Sequence, residues 1–368
     1  MAMQPRIVTR GSGLHRVGQL VLFGVFALFF LRAGLEGDRT GLGLLTDAII
    51  LAIAVTGLNL ITGCTGQISI GHSAFFGIGA YTTAILVDRG WGHGWTFPAA
   101  AIVAFVIGCI VGLPALRLKG VYLALVTLGL AVAFPAVLNY DKLEGLTGGA
   151  LGIKNLTYLP PSWTPFEGRG DLHLWMFWLS LGVFLLVSLI ASNLLRSRIG
   201  RSMIAIRDNE TAAAVMGVDR SVVKTVVFGL SAAMAGVAGS LFATKLTLVE
   251  PAIAFFTILG AIIILVAMVV GGSASTWGPL VGALFYTYVN DWARTQGEER
   301  SIDGLAGVVF GVILILLARF APFGIVGLLR KFRSRFVRVV PKPPAVVTDG
   351  PQPVSASPET NPSHAPTG

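Results

Sequence analysis

GQISIGHSAFFGIGAY, residues Gly66 to Tyr81, decides how the chain is read. Within this one stretch stand a glutamine, two serines, a histidine and the glycines Gly66, Gly71, Gly77 and Gly79. Around it, 54% of the 368 residues are hydrophobic and 12% are charged, whereas about a quarter of an ordinary soluble domain is charged. Too little polar surface exists to cover so apolar a chain, so the excess must face lipid. The stretch therefore lies where hydrocarbon is expected, and its polar groups need partners there.

A membrane-spanning helix needs about 20 mainly apolar residues, and ten segments approach this, roughly 17–35, 44–62, 68–87, 96–116, 120–140, 173–195, 222–244, 255–271, 276–292 and 302–320. Short Gly-containing links join the second to the third and the eighth to the ninth. The expected fold class is thus all-α, a polytopic membrane protein of about ten transmembrane helices (8–11) with both termini cytoplasmic. Arg6, Arg10 and Arg16 resemble the start of a signal peptide, but the apolar run after them is too long and no small-x-small site follows, so it reads as a retained first span. Residues 1–16 form a cytoplasmic N-terminal segment, 17–330 the transmembrane domain, with a cytoplasmic loop at 196–221 and an external loop at 141–171, and 331–368 a basic and then Pro-rich disordered cytoplasmic tail. With this orientation roughly two thirds of the 27 Lys and Arg fall inside and most of the 18 acidic residues outside, as the positive-inside rule requires. Topology accounts for the net charge of +9, and no basic patch is left over for nucleic acid. Arg330, Lys331, Arg333, Arg335 and Arg338 are placed to anchor the last helix at anionic lipid headgroups.

Catalytic signatures are missing. Gly148 to Lys154 lacks the Gly-Lys-Ser/Thr ending of a phosphate-binding loop, and HExxH, GxSxG and paired buried carboxylates do not occur. Cys64 and Cys109 have no His or Cys at metal-ligand spacing, so no metal and no cofactor is expected and both read as small packing residues. Small residues do recur at helical spacing: Ser69, Ser73 and Gly77, and Ala232, Gly236 and Ser240, form two stripes on which a neighbouring helix can approach closely.

The polar groups of the opening region carry the main candidates for a substrate pathway. Asn59, Gln67, Ser69 and His72 fall around a glycine-interrupted joint between two spans, and Thr127 joins them from a later span. Such broken helices expose backbone groups that can bind a solute; the competing reading is an interhelical hydrogen-bond network that never meets one. In the loop Arg196 to Lys224, the run Ser202–Met216 lacks Gly and Pro and predicts a short helix. Met203, Ile206 and Ala213 to Met216 form its apolar side, suited to a groove on another subunit or to the membrane surface.

Six stretches taken in order resemble one family, the permease subunits of branched-chain amino acid ABC importers, specifically the M-type partner of the pair. They are GLNLITGCTGQISIGHSAFFGIGAY (Gly57–Tyr81), RLKGVYLALVTLGLA (Arg117–Ala131), LTGGALGI (Leu146–Ile153), IGRSMIAIRDNETAAAVMGV (Ile199–Val218), GGSASTWGPLVGA (Gly271–Ala283) and APFGIVGL (Ala321–Leu328). The resemblance implies a second permease subunit, two ATPase subunits on the cytoplasmic face and an extracytoplasmic solute-binding protein, in a bacterial inner membrane. It also implies ATPase coupling through Gly200, Arg201, Ala205, Ile206, Arg207, Glu210 and Gly217. Two departures stand out: Ile204 replaces a common basic residue, and no Gln or Glu follows Val126-Thr127-Leu128 within a turn. Branched-chain or related hydrophobic amino acids are the implied solutes, with urea, short amides or aromatic acids as the alternatives. An ion-gradient-driven secondary transporter or channel is the rival class. It would place ionisable groups at mid-membrane, whereas Asp47 and Asp291 lie near span ends.

Overall fold

The computed structural model describes residues 6–9, 24, 26, 28–35, 37–115, 118, 120–154, 156, 158, 160, 164, 166, 171–300, 305–320 and 324–340. These are mostly helical. From Arg39 onward the described α-helices of six residues or more are, in chain order, α1 (Arg39–Leu58), α2 (His72–Asp88), α3 (His93–Ala115), α4 (Val121–Leu138), α5 (Leu172–Arg196), α6 (Arg198–Asp208), α7 (Glu210–Val215), α8 (Arg220–Lys245), α9 (Ile258–Gly271), α10 (Gly278–Arg300), α11 (Leu305–Phe320) and α12 (Gly324–Phe336). A helix covers all or most of every expected segment from 44–62 onward. Five described stretches are long and apolar enough to cross a membrane: Arg39–Cys64, His93–Pro114, Val121–Leu138, Leu172–Arg196 and Arg220–Lys245. The apolar helix α9 has 14 residues and α2 has 17.

Helix α1 is apolar on every side, which suits a central position rather than a surface one. Asp38 caps it by accepting from the Gly41 amide at 3.2 Å, and its interior is buried almost without interruption from Thr46 to Leu58. Helices α8, α5 and α10 pack around it, while α2 and α3 lie against α8. The α2–α8 crossing is close enough to exclude side chains. A Cβ added at Gly79 would overlap the Gly236 carbonyl, and one at Gly239 would overlap the Phe76 carbonyl. Lipid supplies no hydrophobic drive for helices to associate, so contact of this closeness is what dispersion needs to hold them together. Helices α9 and α10 form a hairpin with a similar contact, the Gly282 Cα lying against the Ala267 carbonyl.

Four short strands break the all-helical expectation. β2 (Ile153–Lys154) pairs antiparallel with β3 (Leu248–Val249), tying the 141–171 loop to the α8–α9 connection. In that loop Trp175 Nε1 of the neighbouring helix donates to the Tyr158 hydroxyl at 2.5 Å. Burial raises the Tyr158 phenol above its ordinary range, against the lowering effect of that bond. β1 (Arg6–Thr9) pairs parallel with β4 (Val337–Val340). Residues 331–336 continue α12 and 337–340 form β4, across the basic stretch that the sequence places before the Pro-rich segment. The Pro-rich remainder from 341 lies outside the described residues.

Candidate functional site

The break after α1 is the most polar part of the helical core. The α-helix passes into a π-helical turn, Asn59–Cys64, and residues 66–71 are irregular before α2 begins. Gly66 turns the chain with φ +73°, a conformation that costs a residue with a Cβ, and its Cα lies against the Arg207 side chain. Every backbone group freed by such a break must find a partner inside the protein. The Gln67 amide returns to the Ile61 carbonyl at 3.2 Å, the Ile70 amide donates to Thr127 Oγ1 at 2.9 Å, and Arg207 Nη1 donates to the Gly63 carbonyl at 3.3 Å.

Asn59 is 4% exposed and uses both ends of its amide. Nδ2 donates to the Ser275 carbonyl at 3.0 Å, and Oδ1 accepts from the Ala274 amide at 2.8 Å. It thereby clamps the α9–α10 link, in which Ala274 has φ 56° and is the one positive-φ non-glycine among the described residues. Arg330 of α12 reaches the same link, donating from Nη2 to Ser275 Oγ at 3.1 Å.

His72 opens α2 and lies in a directed chain. Ser231 Oγ donates to the Gly57 carbonyl at 2.5 Å, so it accepts from His72 Nε2–H at 2.6 Å. The other ring nitrogen, Nδ1, is left to accept from Ser69 Oγ at 3.4 Å. Ser69, His72 and Ser231 thus cross-link α1, α2 and α8 with each group satisfied. Thr127 is fully buried and donates back to its own helix, to the Leu123 carbonyl at 3.0 Å, while capping Ile70. Gln67 differs from the rest: its Nε2 is buried without a hydrogen-bond partner, as is Ser73 Oγ.

The packing residues divide between neighbours. Gly77 lies against the Phe134 ring of α4, Ala232 faces Gly108 and Gly236 faces Ala104 of α3, and Ser240 Oγ meets Thr83 Oγ1 of α2 at 2.5 Å. The sequence marked both stripes and missed Gly79 and Gly239, whose backbones make the closest approach. Their signal was present in the spacings Gly77-x-Gly79 and Gly236-x-x-Gly239.

The loop between α5 and α8 holds two helices rather than one. Asn209 leaves the helical region with φ −158° and accepts from the Thr211 and Ala212 amides at 3.1 and 3.0 Å, ending α6 and capping α7. An asparagine with a free side chain favours such a cap over a helix interior, which explains the departure from a continuous helix. Gly200 fits under the Leu194 and Leu195 carbonyls where α6 starts, and Gly217 ends α7 at φ +82°. Met203, Ile206 and Ala213 face inward, while Val215 and Met216 are 83% and 82% exposed. Arg201 donates to the Arg196 carbonyl at 3.5 Å, and Ala205 is partly buried. Glu210 turns back onto its own chain, accepting from Lys224 Nζ at 2.7 Å with Arg220 at 3.7 Å. Lys224 is 8% exposed, so this pair fixes α7 to the first turns of α8.

No cluster of His, Cys, Asp or Glu among the described residues could hold a metal ion. A bundle of apolar helices with a polar break at its centre and a folded loop between two of its long helices is the build of a multi-pass membrane transport protein. Residues 41–318 match the family described as branched-chain amino acid transport system / permease component, and the chain belongs to that family. Over 314 residues it is 29% identical to the high-affinity branched-chain amino acid transport system permease protein LivM of Escherichia coli (strain K12), covering 80% of this chain and 71% of that one. It is 26% identical over 340 residues to a probable branched-chain amino acid transport permease protein LivM of Methanocaldococcus jannaschii, covering 83% and 92%. The autoinducer 2 import system permease protein LsrC of Shigella flexneri is 25% identical over 346 residues, covering 88% and 93%. No solved structure matches the chain. As a member of this family it is a transport component and not an enzyme.

Proposed function

We propose that this chain is the M-type permease of an ATP-driven importer of branched-chain or related hydrophobic amino acids in a bacterial inner membrane. In this reading it has about ten spans (8–11) and two cytoplasmic termini, pairs with a second permease, takes solute from an extracytoplasmic binding protein and is driven by two ATPases. ATP binding brings the ATPases together, the α6–α7 loop moves with them, and the pathway between the permeases changes the side to which it opens. The equilibrium shifts only as far as the partners bind the two states differently.

One observation carries the coupling part of this reading: Val215 and Met216 stand exposed at the end of a short, doubly capped helix whose other face is fixed to the bundle. Such a helix fits a hydrophobic groove on a partner. Within the joint, Gln67 is the residue proposed to meet solute, because its amide keeps a free donor while Asn59, Ser69, His72 and Thr127 are engaged with protein groups.

Affinity purification of the tagged chain from its native membrane tests the assembly: a second permease and two ATPases are expected to co-purify, and reconstituted uptake to require ATP and binding protein. Uptake driven by an ion gradient with this chain alone would end the importer reading.

A further inference from the structure

A cavity of about 280 Å³ opens between α1, α2, α8, the turn before α9 and α10, and none of the joint's polar residues lines it. Its volume lies near the lower end of the ~300–1,000 Å³ usual for small-molecule sites. Two helix faces form its walls. Leu44, Asp47, Ile50 and Leu51 come from α1, and Tyr286, Thr287, Asn290, Asp291 and Arg294 from α10, each set at the spacing of one helical stripe. Phe76, Phe242 and Phe255 close the apolar end. Their ring centroids are 5.4, 5.4 and 5.8 Å apart, so the three form one packed aromatic floor.

The charges at the other end are unequally engaged. Lys245 Nζ binds Asp47 Oδ1 at 2.6 Å, which neutralises that carboxylate. Asp291 has no such cation within reach among the described residues. Arg294 pairs with Glu298 at 3.1 Å, but both side chains are largely exposed, 75% and 69%. An exposed i,i+4 pair of this kind is worth only about 0.3–0.5 kcal/mol, so the Arg294 guanidinium is available to a better anion. One turn of α10 therefore offers a carboxylate and a guanidinium on the same side of a cavity whose far wall is apolar.

We propose that this cavity is a binding site for a zwitterionic α-amino acid with an apolar side chain. Asp291 takes the ammonium, Arg294 takes the carboxylate through its two-pronged fork, and the side chain rests on Phe76, Phe242 and Phe255. A single-sign ion leaves one of the two charges unmatched. Urea or an amide brings no charge to either group and so gains neither charge-assisted bond. The assignment rests on the importer reading for the side from which solute arrives, because Asp47, Lys245 and Asp291 lie at the helix ends that this topology puts outside.

Binding of tritiated L-leucine to the full-length chain in lipid nanodiscs tests the site. Saturable binding in the millimolar range or tighter is expected, with leucinamide, isocaproate and urea each competing at least tenfold more weakly than leucine. Asp291→Asn and Arg294→Gln are each expected to weaken leucine tenfold or more, and Phe242→Ala to weaken leucine more than serine. The analogue series on the unaltered chain needs no variant to fold. Absence of saturable binding, equal competition by urea or leucinamide, or unchanged binding by well-folded Asp291→Asn would each overturn the site. Loss of leucine binding with ATPases still co-purifying would remove the site and leave the importer; leucine binding with gradient-driven uptake would do the reverse.

Discussion

Replacing Asn59 by alanine removes two hydrogen bonds at once, from Nδ2 to the Ser275 carbonyl and from the Ala274 amide to Oδ1, at a site 4% exposed. Side-chain hydrogen bonds inside membrane bundles average about 0.6 kcal/mol, and in soluble proteins about 1 kcal/mol, so the bonds alone contribute about 1–2 kcal/mol. The Ala274 N–H loses this partner too, but Ala274 is exposed and water takes the place of Asn59, so little is added to that figure. The expected loss is about 1–2 kcal/mol, which for a chain of this length lowers the melting temperature by roughly 1–3 °C. Asn59→Asp keeps the acceptor for Ala274 but sets an oxygen against the Ser275 carbonyl, so it is expected to cost at least as much. Ala274 itself holds φ 56°, a conformation that costs a Cβ-bearing residue about 1–2 kcal/mol. Ala274→Gly relieves that strain in the parent and relieves less once Asn59 no longer holds the link, so the two substitutions should be non-additive. Gel filtration of the detergent-solubilised full-length chain after graded heating measures all four proteins of the cycle. A loss under 0.5 kcal/mol for Asn59→Ala, or a strictly additive cycle, would show that Asn59 does not hold the α9–α10 link.

The other perturbations test separate contacts. Gly239→Ala drives a Cβ into the Phe76 carbonyl and is expected to exceed the 1–3 kcal/mol typical of overpacking, while Gly182→Ala, with nothing near its Cα direction, should gain up to about 1 kcal/mol of helix propensity; equal thermal stability of the two variants would refute the crossing. Ser231→Ala takes the acceptor from His72 Nε2–H and the donor from the Gly57 carbonyl, for an expected loss of about 1–3 kcal/mol, read by the same heating assay. Glu210→Gln leaves Lys224 buried without its counter-charge and should destabilise the chain, with Lys224→Met restoring stability in the double variant; failure of that rescue would count against the pair. Val215→Glu and Met216→Glu, both on exposed positions, should leave stability within about 0.5 kcal/mol and abolish stimulation of ATP hydrolysis by loaded binding protein; full stimulation would refute docking through α7.

Much of the helical order was legible because lipid imposes a simple rule on length and apolarity, and α1, α3, α4, α5 and α8 obey it. The joint was legible for the opposite reason, since Gln67, His72 and Gly66 violate that rule. What the sequence did not reveal was pairing across distance. Ser231 is an ordinary small residue in an apolar helix until His72 stands beside it, and the partner of Asn59 is the backbone of Ala274 and Ser275, which has no side-chain signature. Glu210 and Arg207 matched a loop pattern that implies contact with another subunit, yet both side chains reach their own chain. Asp47 and Asp291 read as scattered charges near span ends because sequence distance hides that α1 and α10 face each other.

The stretches that carry the family resemblance are scattered from residue 57 to 328, and the fold shows why most of them belong together. Thr127 of Arg117–Ala131 receives the Ile70 amide of the joint. Arg207 of Ile199–Val218 covers the Gly63 carbonyl, Ala274 and Ser275 of Gly271–Ala283 engage Asn59, and Gly324 of Ala321–Leu328 lies directly on Gly272. Leu146–Ile153 is the exception, bound instead to β3 through Ile153, which pairs with Val249. A broken helix in hydrocarbon is tolerable only while each freed N–H and C=O is met, and here the partners come from separate elements. Displacing the α6–α7 loop would therefore uncover the Gly63 carbonyl unless the π-helical turn moved with Arg207. The cost of leaving that carbonyl bare, about 1–3 kcal/mol, is of the same order as the coupling free energies that link distant sites in proteins. One guanidinium on one carbonyl is thus enough to tie a movement of the loop to the geometry of the joint.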